Sequence, residues 1–154
     1  MTKVEISVEQ VAPRRLAAVR RRLRPEDIRR EWGPALDLVW PFLRKQDGLW
    51  AGGHNVFLYW HPAPGEALID ADFGVEVARS FEPSGEVREV YTPAGEAAVA
   101  VHRGAYDRLG EAHSAVRSWA REQGRIFGVA SWEIYGDPQP EPERTETIVV
   151  YLLG

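Results

Sequence analysis

The chain has 154 residues, 44% hydrophobic and 27% charged, with a formal net charge of −4. That size and balance fit one globular domain, or two small repeats sharing a core, and argue against wholesale nucleic-acid binding. The absence of cysteine excludes disulfides and thiol catalysis and fits a reducing cytoplasm, no apolar run is long enough to cross a bilayer, and Met1–Ile6 carries no signal-peptide pattern.

Residues 3–11 alternate strictly, with Val4, Ile6 and Val8 on one face of a half-buried strand, and residues 15–23 return as a second strand after the turn at Pro13. Arg14, Arg15, Arg20, Arg21, Arg22, Arg24, Arg29 and Arg30 form a basic run. It reads as an edge strand and a helix start with a solvated basic face; the competing reading is a patch for an acidic partner or for nucleic acid. Pro25-Glu26-Asp27 signals a helix start, and Ile28, Trp32, Ala35, Leu36, Val39 and Leu43 recur at helical spacing. Pro34 and Pro41 interrupt that pattern, so either a kink or a new helix start is expected at Pro34, with the helix ending at Asp47-Gly48. Val56–Trp60 and Leu68–Ala78 read as strands, the second with Phe73, Val75 and Val77 on one face.

After a Pro/Gly/Ser connector at 80–86 the same order returns. Val87–Tyr91 and Glu96–His102 are strands about a turn at Pro93. A helix from about Tyr106 to Gln123 follows, with Leu109, Ala112, Val116, Trp119 and Gln123 as its core stripe and Gly124 as its stop. Residues 128–136 read as a short strand between two glycines, with Trp132 and Ile134 on one face and Ser131, Glu133 and Tyr135 on the other; Thr145–Leu152 closes the chain as an apolar strand. Pro13 and Pro93 differ by 80 positions, and Tyr59 and Tyr135 by 76. The near-constant offset points to an internal duplication, with repeats at about 3–79 and 86–153 in a single domain spanning 1–154. Two such halves would meet about a pseudo-twofold axis, bringing Phe57 and Tyr59 opposite Glu133 and Tyr135. A carboxylate walled by rings must find a positive partner, gain hydrogen bonds or stay protonated.

Three stretches carry a family resemblance. Tyr91-Thr92-Pro93-Ala94-Gly95 runs on through Val99–Tyr106; the helix Leu109–Gly124 follows; Trp132-Glu133-Ile134-Tyr135 comes last, before a Pro/Glu loop and a final strand. Together they resemble the GyrI-like family, related to the effector-binding domains of AraC-type and MerR-type regulators, which have a SOUL-like fold. The resemblance implies an α+β fold of duplicated β-β-α-β-β units, with antiparallel sheets, two main helices and a central cleft. It implies a free-standing member, since no DNA-binding helices precede residue 3. It also implies that Glu133 sits in an aromatic cleft and meets cationic or aromatic small molecules, with Tyr135 and Tyr106 beside it.

The expected function is therefore sequestration or sensing of a hydrophobic, aromatic or cationic small molecule, by a cytoplasmic protein that needs no cofactor. The ligand-binding candidates are Glu133, Tyr135, Tyr106, Tyr59, Phe57, Trp60, Phe73 and Trp40. One alternative is a hydrolase of strained electrophilic natural products, with Glu133 as general base and Tyr135 as donor to an oxyanion. Another is a protein-interaction module acting on gyrase or a transcription factor, through an apolar patch or the arginine face. His54, His61, His102 and His113 lack helical metal spacing and read as structural or surface residues, so no metal is expected.

Overall fold

The computed structural model describes residues 4–154. Its elements are β1 (Ile6–Val11), β2 (Arg15–Leu23), α1 (Ile28–Arg44), β3 (Asn55–Trp60), β4 (Ile69–Glu76), β5 (Val87–Tyr91), β6 (Gly95–Arg103), α2 (Leu109–Gln123), β7 (Phe127–Tyr135) and β8 (Glu146–Leu153). Lys3, where the first strand and first repeat were expected to begin, lies outside the described residues.

The strands form one antiparallel sheet in the order β1-β6-β8-β7-β3-β4-β2-β5. Exchanging β1–β4 with β5–β8 gives the same order read from the other end. The pseudo-twofold axis therefore passes between β3 and β7, and the expected α+β fold of doubled units is the fold found. Each helix is entered through a short 3-10 turn, Pro25–Asp27 before α1 and Tyr106–Arg108 before α2.

The two faces of the sheet are buried differently. On one, α1 packs Ala35, Leu36, Val39, Phe42 and Leu43 against β2, β3 and β4. On the same face α2 packs Leu109, Ala112 and Val116 against β6 and β8. The other face has no helical member. Leu16 and Ala18 of β2 and Ala97 and Val99 of β6 belong to one buried cluster there, with Val56, Leu58, Trp132 and Ile134, although β2 and β6 lie near opposite ends of the strand order. A sheet that twists in one sense can coil far enough to cover its own apolar face, and this one does.

The structure departs from the sequence expectations at several points, one being that α1 ends at Arg44 rather than at Asp47-Gly48. The helix α1 runs unbroken through Pro34 and Pro41. These prolines are seven residues apart, both exposed, so the carbonyls they leave unbonded face water. Gln123 is exposed, and Ala120, 3% exposed, takes its place in the α2 core stripe. Gly124 stops that helix in the left-handed region, at φ 64°. Val8, expected inside, is 44% exposed: it lies on the edge strand β1, beyond Val4 and Ile6, which pack against the α2 core. The strand expected between Gly128 and Gly136 begins earlier, at Phe127, and its register against β8 shifts between Phe127 and Ser131. Finally, β2 is not an edge strand: it lies between β4 and β5. Its arginines and the preceding Arg14 are met by acids from neighbouring segments, Arg14 with Glu76 (2.9 Å), Arg15 with Glu89 (3.1 Å), Arg20 with Asp72 (2.8 Å) and Arg21 with Glu86 (2.9 Å).

Candidate functional site

One row of directly paired residues crosses the helix-bearing face through all eight strands. It runs Val87, Val19, Phe73, Phe57, Glu133, Val149, Ala100, Ile6. Seven members are apolar and the one beside the pseudo-twofold axis is a carboxylate. Glu133 is 5% exposed, so its charge must be satisfied by neighbours rather than by water.

Those neighbours come from three elements, and a fourth, β8, backs one of them. Oε1 accepts hydrogen bonds from the hydroxyls of Tyr59 on β3 (2.8 Å) and Tyr135 on β7 (2.6 Å). Oε2 lies 2.6 Å from His113 Nε2 on α2. The other nitrogen, Nδ1, lies 2.6 Å from the Tyr151 hydroxyl on β8, to which Arg117 also donates at 3.4 Å. Charge-assisted bonds of this length are the stronger kind, and three of them converge on one carboxylate. The tyrosines are held in the protonated, donating form. Burial raises the pKa of Tyr59 and Tyr135 first, and the charge of Glu133 raises both further. Burial also raises that of Tyr151, against an opposing pull from Arg117.

Rings pave the rest. Trp32 on α1 lies 5.9 Å from Phe57, Phe57 lies 4.8 Å from Tyr135, and Tyr135 lies 5.5 Å from Tyr106 at the entry to α2. This chain of rings spans the space from one helix to the other, directly beside the carboxylate. Its two ends are open to solvent, with Trp32 43% and Tyr106 49% exposed, while Phe57 is buried. Tyr135 packs against the cores beneath both helices. A second polar pair lies farther along β7: His61 Nδ1 meets the Gly128 carbonyl at 2.9 Å and Nε2 meets Ser131 Oγ at 3.0 Å. A carbonyl only accepts, so Nδ1 carries the proton and, in the neutral ring, Nε2 accepts from the serine. Burial lowers the His61 pKa, against the opposing effect of that carbonyl.

Of the residues expected in the site, Glu133, Tyr135, Tyr59, Phe57 and Tyr106 are brought together. Phe73 is fully buried behind Phe57, ring centres 5.1 Å apart, and serves as support rather than lining. Trp60 is a correction. Adjacent strand residues point to opposite faces, so with Tyr59 in the site Trp60 lies on the helix-free face, where Nε1 donates to Asp72 at 2.8 Å. Trp40 is also elsewhere: it stacks edge-on with Trp50 at 5.2 Å and lines a separate hollow of about 560 Å³ with Leu43, Arg44 and Gln46. Three participants were not foreseen. His113, expected to be structural or at the surface, is four residues after Leu109 and three before Val116, a spacing that puts it beside the buried stripe. Tyr151 shares one strand face with Val149 and Leu153, and Trp32 reads from the sequence only as part of a helical apolar pattern. Among the described residues no group of three or more His, Asp or Glu is placed to hold a metal ion.

The comparisons agree with this architecture. The family model for the GyrI-like small molecule binding domain matches residues 4–152. The crystal structure of the EcmrR C-terminal domain superposes with a TM-score of 0.79 at 17% identity, covering 99% of each chain. In the cryo-EM structure of an EcmrR–DNA complex the TM-score is 0.75 at 16% identity, and the match covers 97% of this chain but 57% of that one. The structure of SAV2435 bound to tetraphenylphosphonium gives a TM-score of 0.72 at 13% identity, covering 97% of this chain and 94% of that one. The curated proteins offer no match to the sequence. No helix among the described residues is long and apolar enough to cross a membrane.

Proposed function

This chain belongs to the GyrI-like small-molecule-binding domains, and on that premise we propose that it holds an aromatic, lipophilic cation across the rings between α1 and α2, with Glu133 as the buried counter-charge. The observation that carries this reading is the lone carboxylate in an otherwise apolar row of eight, beside rings whose two ends reach solvent. A cation over an aromatic face gains about 0.5–2 kcal/mol. A fixed carboxylate in a medium less polar than water adds a longer-range attraction. Because Glu133 already accepts from two hydroxyls and faces an imidazole nitrogen, the fitting ligand is one whose charge is spread over a greasy body. A small ammonium ion would have to break those bonds to form its own. The tetraphenylphosphonium held by SAV2435 is of the former kind.

The same contacts favour binding over hydrolysis. A general base must offer an oxygen to water, and here Oε1 has two donors and Oε2 faces His113. Sequestration and sensing make the same demand on the site. The test is tryptophan quenching by tetraphenylphosphonium at neutral pH, with Trp32 as the reporter nearest the rings. Glu133→Gln is expected to weaken binding about tenfold or more, the equivalent of roughly 1.4 kcal/mol. Unchanged affinity in that variant would remove Glu133 from the role.

A further inference from the structure

Resting on the reading of Glu133 as a cation's counter-charge, we propose that His113 determines which ligands the site accepts, by cancelling that charge whenever the imidazole is protonated. Both ring nitrogens are engaged at 2.6 Å, one with the carboxylate and one with a phenol. A phenol hydroxyl can donate or accept. With His113 neutral, Nε2–H donates to Glu133 and Tyr151 donates to Nδ1, so the pair carries one negative charge. With His113 protonated, Nδ1–H donates to the Tyr151 oxygen instead, and the pair carries none. Neither state requires His113 to give up a partner or change its rotamer. The same site therefore exists in two charge states, and the change between them is the gain or loss of one proton.

No other titrating group in contact with the pair duplicates this. Tyr59 on β3 and Tyr135 on β7 keep their protons, as burial raises both. Tyr151 on β8 behaves likewise. Arg117, one turn farther along α2, is a cation in either state. Tyr106 stands at the rim against Tyr135, and His61 faces the Tyr151 ring at 6.0 Å rather than the carboxylate. The α1 side contributes Trp32, which has no charge, through Phe57. Permanent lipophilic cations are thus admitted when His113 is neutral and released when it is protonated, whereas neutral aromatic molecules are held equally in both states.

The experiment titrates the intact protein with tetraphenylphosphonium and, separately, with uncharged triphenylphosphine oxide, from about pH 8 to about pH 5.5, followed by tryptophan fluorescence. The expected result is a loss of about tenfold or more in affinity for the cation, little change for the oxide, and a flat profile for the cation in His113→Gln, whose amide still donates to Glu133 but does not titrate. Cation affinity independent of pH in the wild type overturns the role of His113 while leaving that of Glu133 standing. No cation binding even at pH 8 overturns both. A fall that persists in His113→Gln belongs to Glu133 itself and overturns the proposal. Should that variant fail to fold, proton NMR of the wild-type His113 ring decides. Linkage is reciprocal, so saturating tetraphenylphosphonium must lower its midpoint by about one unit for a tenfold preference, and an unmoved midpoint overturns the inference.

Discussion

Four residues into α1 stands Trp32, and four residues into α2 stands His113. Beneath the first, on β3, is Phe57; beneath the second, on β7, is its directly paired neighbour Glu133. Phe57 and Glu133 are 76 positions apart, the same offset as Tyr59 and Tyr135. The pseudo-twofold therefore superposes an indole-on-phenyl pair on an imidazole-on-carboxylate pair. The two halves share strand order and helix placement, yet one has a greasy contact where the other has an ionisable one. Doubling supplies the frame, and divergence at two pairs of positions supplies an aromatic side and a charged side.

The largest way to break that comparison is to make the halves alike. Phe57→Glu would put a second carboxylate directly opposite Glu133, with no donor of its own. An unpaired buried charge costs about 3–5 kcal/mol, and that loss should appear in urea unfolding. The cost would be lower if the new carboxyl took up a proton, so the deficit should shrink toward acid pH. A middle-sized effect tests the aromatic side alone. Trp32→Ala removes an exposed ring worth about 1 kcal/mol of stacking, so affinity should fall about fivefold for charged and neutral ligands alike, unlike the cation-selective loss expected of Glu133→Gln.

The smallest effect concerns His61, whose counterpart at the same offset is the exposed Asp137. Burial lowers the folded-state pKa of His61. Below about pH 6.5 the unfolded chain binds a proton that the folded chain resists, so stability is full above that pH and declines as pH falls through it. In His61→Gln that part of the decline should vanish from a series of melts between about pH 7 and pH 5. An unaltered slope would mean that other groups carry it.

Much of this was legible in the residues. Alternation located the half-exposed first strand, apolar and β-branched runs located strands buried on both faces, and the near-constant offset pointed to the doubling. Glu133 and Tyr135 stood out as polar residues on an otherwise apolar strand. What could not be read was pairing between distant segments. His113 is an ordinary flank residue of a helix until that helix is laid over β7 and β8. Trp60 differs from Tyr59 by one position, and that single step sends it through the sheet to Asp72. Acids on β4 and β5, and in the connector before β5, answer the arginines of β2, which look like a basic patch only when read without their neighbours.

The prolines of α1 also bear on the proposal that a ligand lies across the rings. Pro34 has no hydrogen to offer the Arg30 carbonyl, so the first turns, which carry Trp32, are joined to the remainder by one rung fewer. Phe42 and Leu43 hold the far end in the core. The indole thus stands on a segment able to lean outward while the rest stays seated, whereas α2 has no such joint. Amide exchange should show it, with residues 28–33 trading hydrogen for deuterium sooner than 35–44 and slowing once a bulky guest is in place.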